Sequence, residues 1–170
     1  GHFESQVWDF STDTESTART HYVNRWRLEK KDPNAELSEP KEPIVFWIDR
    51  NVPLRYRDTI VAGVLEWNKA FERIGFKDAV KARIQPDDAD FDTLDARHAS
   101  IRWMTTARPA FGGIGPSQAD PRTGEILDAD IGIDPTRLRF ARYRLADSST
   151  PSTAPASSRR TAIPCSPRRT

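Results

Sequence analysis

The chain has 170 residues, enough for one domain with a real core and too few for two comfortable ones. Setting aside the four arginines of residues 148–170 leaves 22 of the 26 basic side chains against 25 acidic ones, a net of −3, so the body offers no electrostatic footprint for DNA or RNA. No run approaches the roughly 20 apolar residues that span a bilayer, and the single cysteine, Cys165, rules out an internal disulfide, a cysteine-based metal site and a CxxC redox site.

In chain order, the first twenty residues are mostly polar, and Ser11–Thr17 reads as a loop. His21–Leu28 follows as a short strand-like run, with Tyr22, Trp26 and Leu28 on one parity. Glu29–Pro43 is charged, carries three prolines and has no apolar period, the pattern of a surface crossing. Ile44–Ile48 is continuously apolar, which predicts a strand covered on both faces. Pro53 then suits a first helical turn. Ile60, Val64, Trp67, Phe71 and Ile74 recur at helical spacing, predicting one long helix over Arg55–Ile74 that packs Ile60, Val64, Phe71 and Ile74 on a sheet. Gly75 stands where a left-handed residue closes such a helix, with Phe76 folding back on the last turn. Asn68 lies among the apolar positions, and if it faces inward its amide must find partners.

Val80–Ile84 alternates as a second strand, Asp87–Asp95 is an acidic loop read as solvated, and Ala99–Met104 is a third strand. Phe111–Gly115 is glycine-rich and extended. Asp120–Gly124 is a turn whose glycine supplies positive φ. Glu125–Ile133 is a further strand, and Asp134 or Thr136 can cap a short helix through Leu138, Ala141 and Leu145. Trp47, Trp67 and Trp103 fall in runs that predict core packing. From Ser148 the composition turns to Ser, Thr, Pro, Arg and Ala without a period, the signature of a disordered tail. Two causes fit that tail: a natural disordered terminus, or a change of reading frame near Leu145. The boundaries expected are 1–33 as the end of a preceding domain and its connection, 34–147 as the main domain, and 148–170 as the tail.

Five segments carry a family resemblance: RWRLEKKDP (Arg25–Pro33), EPIVFWIDR (Glu42–Arg50), VLEWNKAFERIGFKDAV (Val64–Val80), DARHASIRW (Asp95–Trp103) and GPSQADPRTGEILDADI (Gly115–Ile131). In this order the chain resembles the bacterial zinc-dependent metalloproteases of the Met-zincin group. The resemblance implies an α/β (α+β) fold, the upper half of a metzincin-like catalytic domain: a twisted mixed sheet backed by one long helix. It implies an edge strand in the place of Phe111–Ser117 bordering the substrate cleft, with Gly113, Ile114 and Gly115 as substrate-binding residues. It also implies zinc as the cofactor of the intact family, a peptide or protein substrate, and a periplasmic or extracellular setting.

The chemistry of such an enzyme needs HExxH on a helix, two imidazoles one turn apart on a zinc and a glutamate that polarises water. Here His2, His21 and His98 are separated by 19 and 77 residues, so no pair supplies that motif, and the only methionine, Met104, lies in a strand. The expectation is therefore a fragment of a zinc metallopeptidase that holds no zinc and has no catalytic residue of its own. The alternative is a complete, non-catalytic module that holds a peptide at the cleft edge strand. The two separate on whether an apolar face is left uncovered.

Other candidates have plainer readings. Asp88, Asp90 and Asp92 have the first spacings of a calcium loop, but Thr93 and Ala99 replace its glycine and glutamate. Asp128 and Asp130 share a face opposite Ile131, read as structural. His98 is read as solvent-exposed or at the start of a strand.

Overall fold

The computed structural model describes residues 2–11, 19–106 and 111–149. The loop expected beyond Ser11 and the tail from Thr150 lie outside the described residues.

Strands β1 (Glu4–Trp8) and β2 (Arg19–Val23) form a two-stranded antiparallel ribbon, Glu4 opposite Val23 and Trp8 opposite Arg19. This corrects the strand expected over His21–Leu28, which starts earlier and stops at Val23. β1 escaped notice because an exposed ribbon is held by backbone pairing and needs no apolar run. Beyond β2, Arg25 is bridged to the Asp120–Gly124 turn: its N–H donates to Gly124 O (3.0 Å), and Ile126 N–H donates to its carbonyl (2.9 Å). That anchorage sets Trp26 edge-on against Phe46, with ring centroids 6.2 Å apart.

The main sheet is mixed. β3 (Ile44–Ile48) lies between β4 (Val80–Ile84) and β5 (Ser100–Trp103), parallel to both, and β5 is parallel to β8 (Ile126–Ile133). The short strands β6 (Gly113–Ile114) and β7 (Ser117–Ala119) pair antiparallel with β8, giving the order β4-β3-β5-β8-β6. The continuous apolar run of β3 is thus that of a central strand, with Ile44 and Ile48 buried.

The helix is one rod with a tightened joint. α1 (Leu54–Leu65) and α2 (Asn68–Glu72) are separated by Glu66 and Trp67, which keep helical dihedrals while Trp67 N–H turns to the carbonyl of Val64, three residues back (3.3 Å). The Asn68 side chain begins α2 and clamps β4. Its Nδ2 donates to Val80 O (2.9 Å), and Val80 N–H donates to its Oδ1 (2.8 Å). The amide that had to find partners finds two. Gly75 takes φ +87°, and a Cβ there would meet Glu36 O at 2.7 Å. Phe76 N–H donates back to Phe71 O (3.0 Å), closing the helix as its sequence predicts.

Val64, Phe71 and Phe76 pack with Trp26, Leu28 and Phe46 around buried Ile44, Ala79 and Val80. Two expectations fail. Ile74 is 65% exposed, because the ladder ends at Glu72 and the last turn swings outward into Gly75; Trp67 is also 65% exposed, at the joint of the rod. A last helix, α3 (Thr136–Ser149), begins where Thr136 N–H donates to Asp134 Oδ1 (2.8 Å), so Asp134 is the cap.

Candidate functional site

The sheet presents two edges, β4 and β6, and two unlike faces. At the β6 edge, Gly113 pairs with Ile133 and Ile114 with Gly132, while Gly112 O and Pro116 O accept from Asp134 N–H and Asp130 N–H (both 3.1 Å). Gly113, Ile114 and Gly115 are all exposed there. Gly132 makes the fit possible: a Cβ would collide with Met104 Sδ and stand 3.3 Å from Ile114 Cγ2, so only glycine lets both side chains close over β8. The extended segment is a border strand, as the resemblance implies, with its outer side free of strand partners among the described residues.

On the face that carries α1, the sheet is apolar and only partly covered. α1 packs on β4 and β3. Beside it lies an open groove of about 490 Å³ walled by Phe46, Ile60, Val64, Ile101, Ile131 and Ile133. No residue of α1 is fully buried, and Gly63 faces open space.

The opposite face is polar and covered by the 85–98 loop. Asp49, at the end of β3, accepts from the Thr93 hydroxyl, and both are buried. Gln85 donates to Phe91 O (2.9 Å) and accepts from Arg50 N–H (3.2 Å). The fully buried Ser100 hydroxyl donates to Asp130 Oδ1. Beside it Asp128 is 2% exposed, and burial, with the Asp130 carboxylate next, pushes its carboxyl above the ordinary value. Hydrogen bonds from Thr106 and Thr136 hold Asp134 down, to about 2. Arg97 grips Asp95 through Nε at 2.9 Å and draws its carboxyl well below the usual range.

His98 is half-buried rather than solvent-exposed: its ring stacks on Phe91 (4.2 Å, 14°) and stands edge-on to Trp47 (6.3 Å). The acidic loop is likewise more than solvated coil. Asp87, Asp88, Asp90 and Asp92 face water, but Thr93 and Phe91 turn inward. Asp49, Thr93 and Ser100 carry no motif; the one signal, for Asp49 and Ser100 alone, is a polar residue at the end of an apolar strand. Asp128 and Asp130 do share a face, as alternation requires.

A zinc site does not fit these residues. His21 Nδ1 is committed to Glu4 (3.2 Å) in the β1–β2 ribbon, and His98 is wedged between aromatic rings on the main sheet. Among the described residues no group of three His, Cys, Asp or Glu side chains is arranged to hold a metal ion.

With the fold and this geometry set out, comparison with known proteins adds no neighbour: no family model, no curated protein and no solved structure matches the chain. The chain is an α+β domain with a mixed six-strand sheet backed on one face by a helical rod.

Proposed function

We propose that this chain is the sheet-and-backing-helix half of a zinc metallopeptidase catalytic domain, an extracytoplasmic hydrolase of peptide bonds when intact. This half holds an extended peptide but has no metal of its own and no peptidase activity. The observation that carries the reading is an apolar face left uncovered among the described residues. Ile101, Ile131 and Ile133 line an open groove beside α1. A self-contained binding module would have covered that surface, whereas a half-domain leaves it for the rest of the enzyme. The border position of β6, antiparallel on a sheet otherwise parallel up to β8, supports the substrate assignment. Extended peptide pairs with such an edge through its backbone, so Gly113, Ile114 and Gly115 are the substrate-contacting residues.

Two measurements test it. Elemental analysis of the purified protein should find no tightly held zinc, and peptide hydrolysis should be absent with zinc added. One zinc per chain, lost in His98→Ala, would overturn the reading. Titration with extended peptides, followed by amide NMR, should move the signals of Gly113, Ile114 and Gly115. Shifts confined to other strands would remove the peptide assignment.

A further inference from the structure

The β1–β2 ribbon is a sheet of two strands separate from the main one, a size that is marginal on its own in water. One of its borders is closed. Arg25 N–H, continuing β2, donates to Gly124 O, and Gly124 packs so closely on β2 that a Cβ would collide with Val23 O. The other border, β1, has no further strand partner among the described residues. The register fixes which of its backbone groups are left over. Asn24 N–H donates to Phe3 O (2.8 Å), so Phe3, Ser5 and Val7 turn their N–H and C=O groups toward β2, and Glu4, Gln6 and Trp8 turn theirs outward. The side chains of these last three share the exposed face of the ribbon with Arg19, His21 and Val23.

We propose that two copies of this chain pair through β1 in a two-fold antiparallel dimer, which joins their ribbons into one four-stranded sheet. Charge on the exposed face selects the partner and the register. At one end of β1 the Glu4 carboxylate accepts from Gln6 Nε2 (3.0 Å) and stands 3.2 Å from His21 Nδ1. At the other end the Arg19 guanidinium lies 4.1 Å over the ring of Trp8, which is 48% exposed. A two-fold axis at Gln6 sets Gln6 opposite its own copy and Glu4 opposite the partner's Trp8. Every outward N–H and C=O of β1 then meets a counterpart. Each Glu4 comes beside the guanidinium that covers the opposing indole, so the strand is complementary to itself at both ends. Sliding the copies until Glu4 faces Glu4, or until Trp8 with its arginine faces Trp8, brings like charges together. The joined sheet passes the size at which strands hold without outside support. Assembly stops at two copies, because the β2 border of each ribbon is closed by Gly124.

Sedimentation equilibrium of the whole chain should show a monomer–dimer equilibrium and no larger species. Amide hydrogen exchange should add a signature in parity. Glu4, Gln6 and Trp8 should gain protection as protein concentration rises, while Ser5 and Val7, bonded within the ribbon, keep theirs at every concentration. Gln6→Pro removes an outward N–H and costs the ribbon no bond, so it should leave a folded monomer. Glu4→Arg faces Arg19 at both ends of the dimer and should weaken association about tenfold, and adding Arg19→Glu to it should restore the pairing. A chain that stays monomeric at every concentration overturns the proposal. So does a dimer retained by Gln6→Pro, or one whose protection appears at Gly113 and Ile114 or along α1 instead of at Glu4, Gln6 and Trp8. Should Gln6→Pro fail to fold, the charge swap decides: a double variant that associates no better than Glu4→Arg alone overturns the pairing.

Discussion

The two faces of the main sheet are built from the same strands and held by opposite means. On the α1 face every second residue of β3, β4, β5 and β8 is aliphatic or aromatic, and its order comes from contact: Val64 and Phe71 lie against Ile44 and Val80. On the other face Asp49, Ser100 and Asp128 are at least as buried, and order comes from pairwise bonds to the covering loop and between strands. Apolar contact is non-directional, so the α1 face can be left part-open and still hold. A polar face cannot, because each atom without a partner costs as much as a lost bond. A short, acidic and otherwise featureless loop therefore closes tightly over one face, while a long helix leaves a groove on the other.

The sharpest way to break the comparison is Phe71→Ala. Removing the ring from the half-covered core should cost about 2–4 kcal/mol in urea unfolding. A loss below about 1 kcal/mol would mean that the rod barely contributes. On the polar face, Thr93→Val keeps shape and removes a donor. It should cost about 1–3 kcal/mol because Asp49 is left short of a partner in the interior, although the same exchange on an exposed strand would be nearly neutral. An acid titration sharpens the contrast further. The Asp134 carboxyl is held at about 2, so its stabilisation is fully present above the ordinary value near 4 and is lost as pH falls toward 2. Asp134→Ala should flatten that part of the stability curve, and an unchanged acid limb would show that Thr106 and Thr136 do not hold the group. The smallest effect is expected for Trp67→Ala. The side chain is 65% exposed at the rim of the groove, and its loss should stay within about 0.5 kcal/mol by thermal melting.

Legibility in the sequence followed the same division. β3 was legible from five consecutive apolar residues, and the rod from Ile60, Val64 and Phe71 at helical spacing, because apolar periodicity is what contact selects. Ile74 was misplaced for a physical reason: its spacing continues the stripe, but the ladder has already ended at Glu72 and the backbone turns at Gly75. Trp67 was misplaced because the joint before Asn68 rotates it out of the stripe. The extended character of Phe111–Gly115 was legible from its glycines, whereas its place at a border of the sheet came from the family resemblance. The partners on the polar face were not. That Asp49 would meet Thr93, or that the His98 ring would stack on Phe91, depends on how a fourteen-residue crossing folds back, and single polar residues carry no period that reports it. The β1–β2 ribbon was missed on the same ground.

The Asn68 clamp has a consequence for how these molecules meet one another. β4 is an outermost strand of the sheet. Ala79 O and Gln85 N–H bond β3, so Val80, Ala82 and Ile84 aim their backbone groups outward. At Val80 both outward groups are taken by one side-chain amide, which imitates the neighbouring strand for a single residue. A foreign strand seeking to lengthen the sheet finds its first rung occupied, and Lys81 and Arg83 flank the rungs that remain. A stack of such chains would have to set these cations beside their own copies at each repeat. The border on this side is thereby kept from serving as a template for filaments, in a domain whose other border has no strand partner among the described residues.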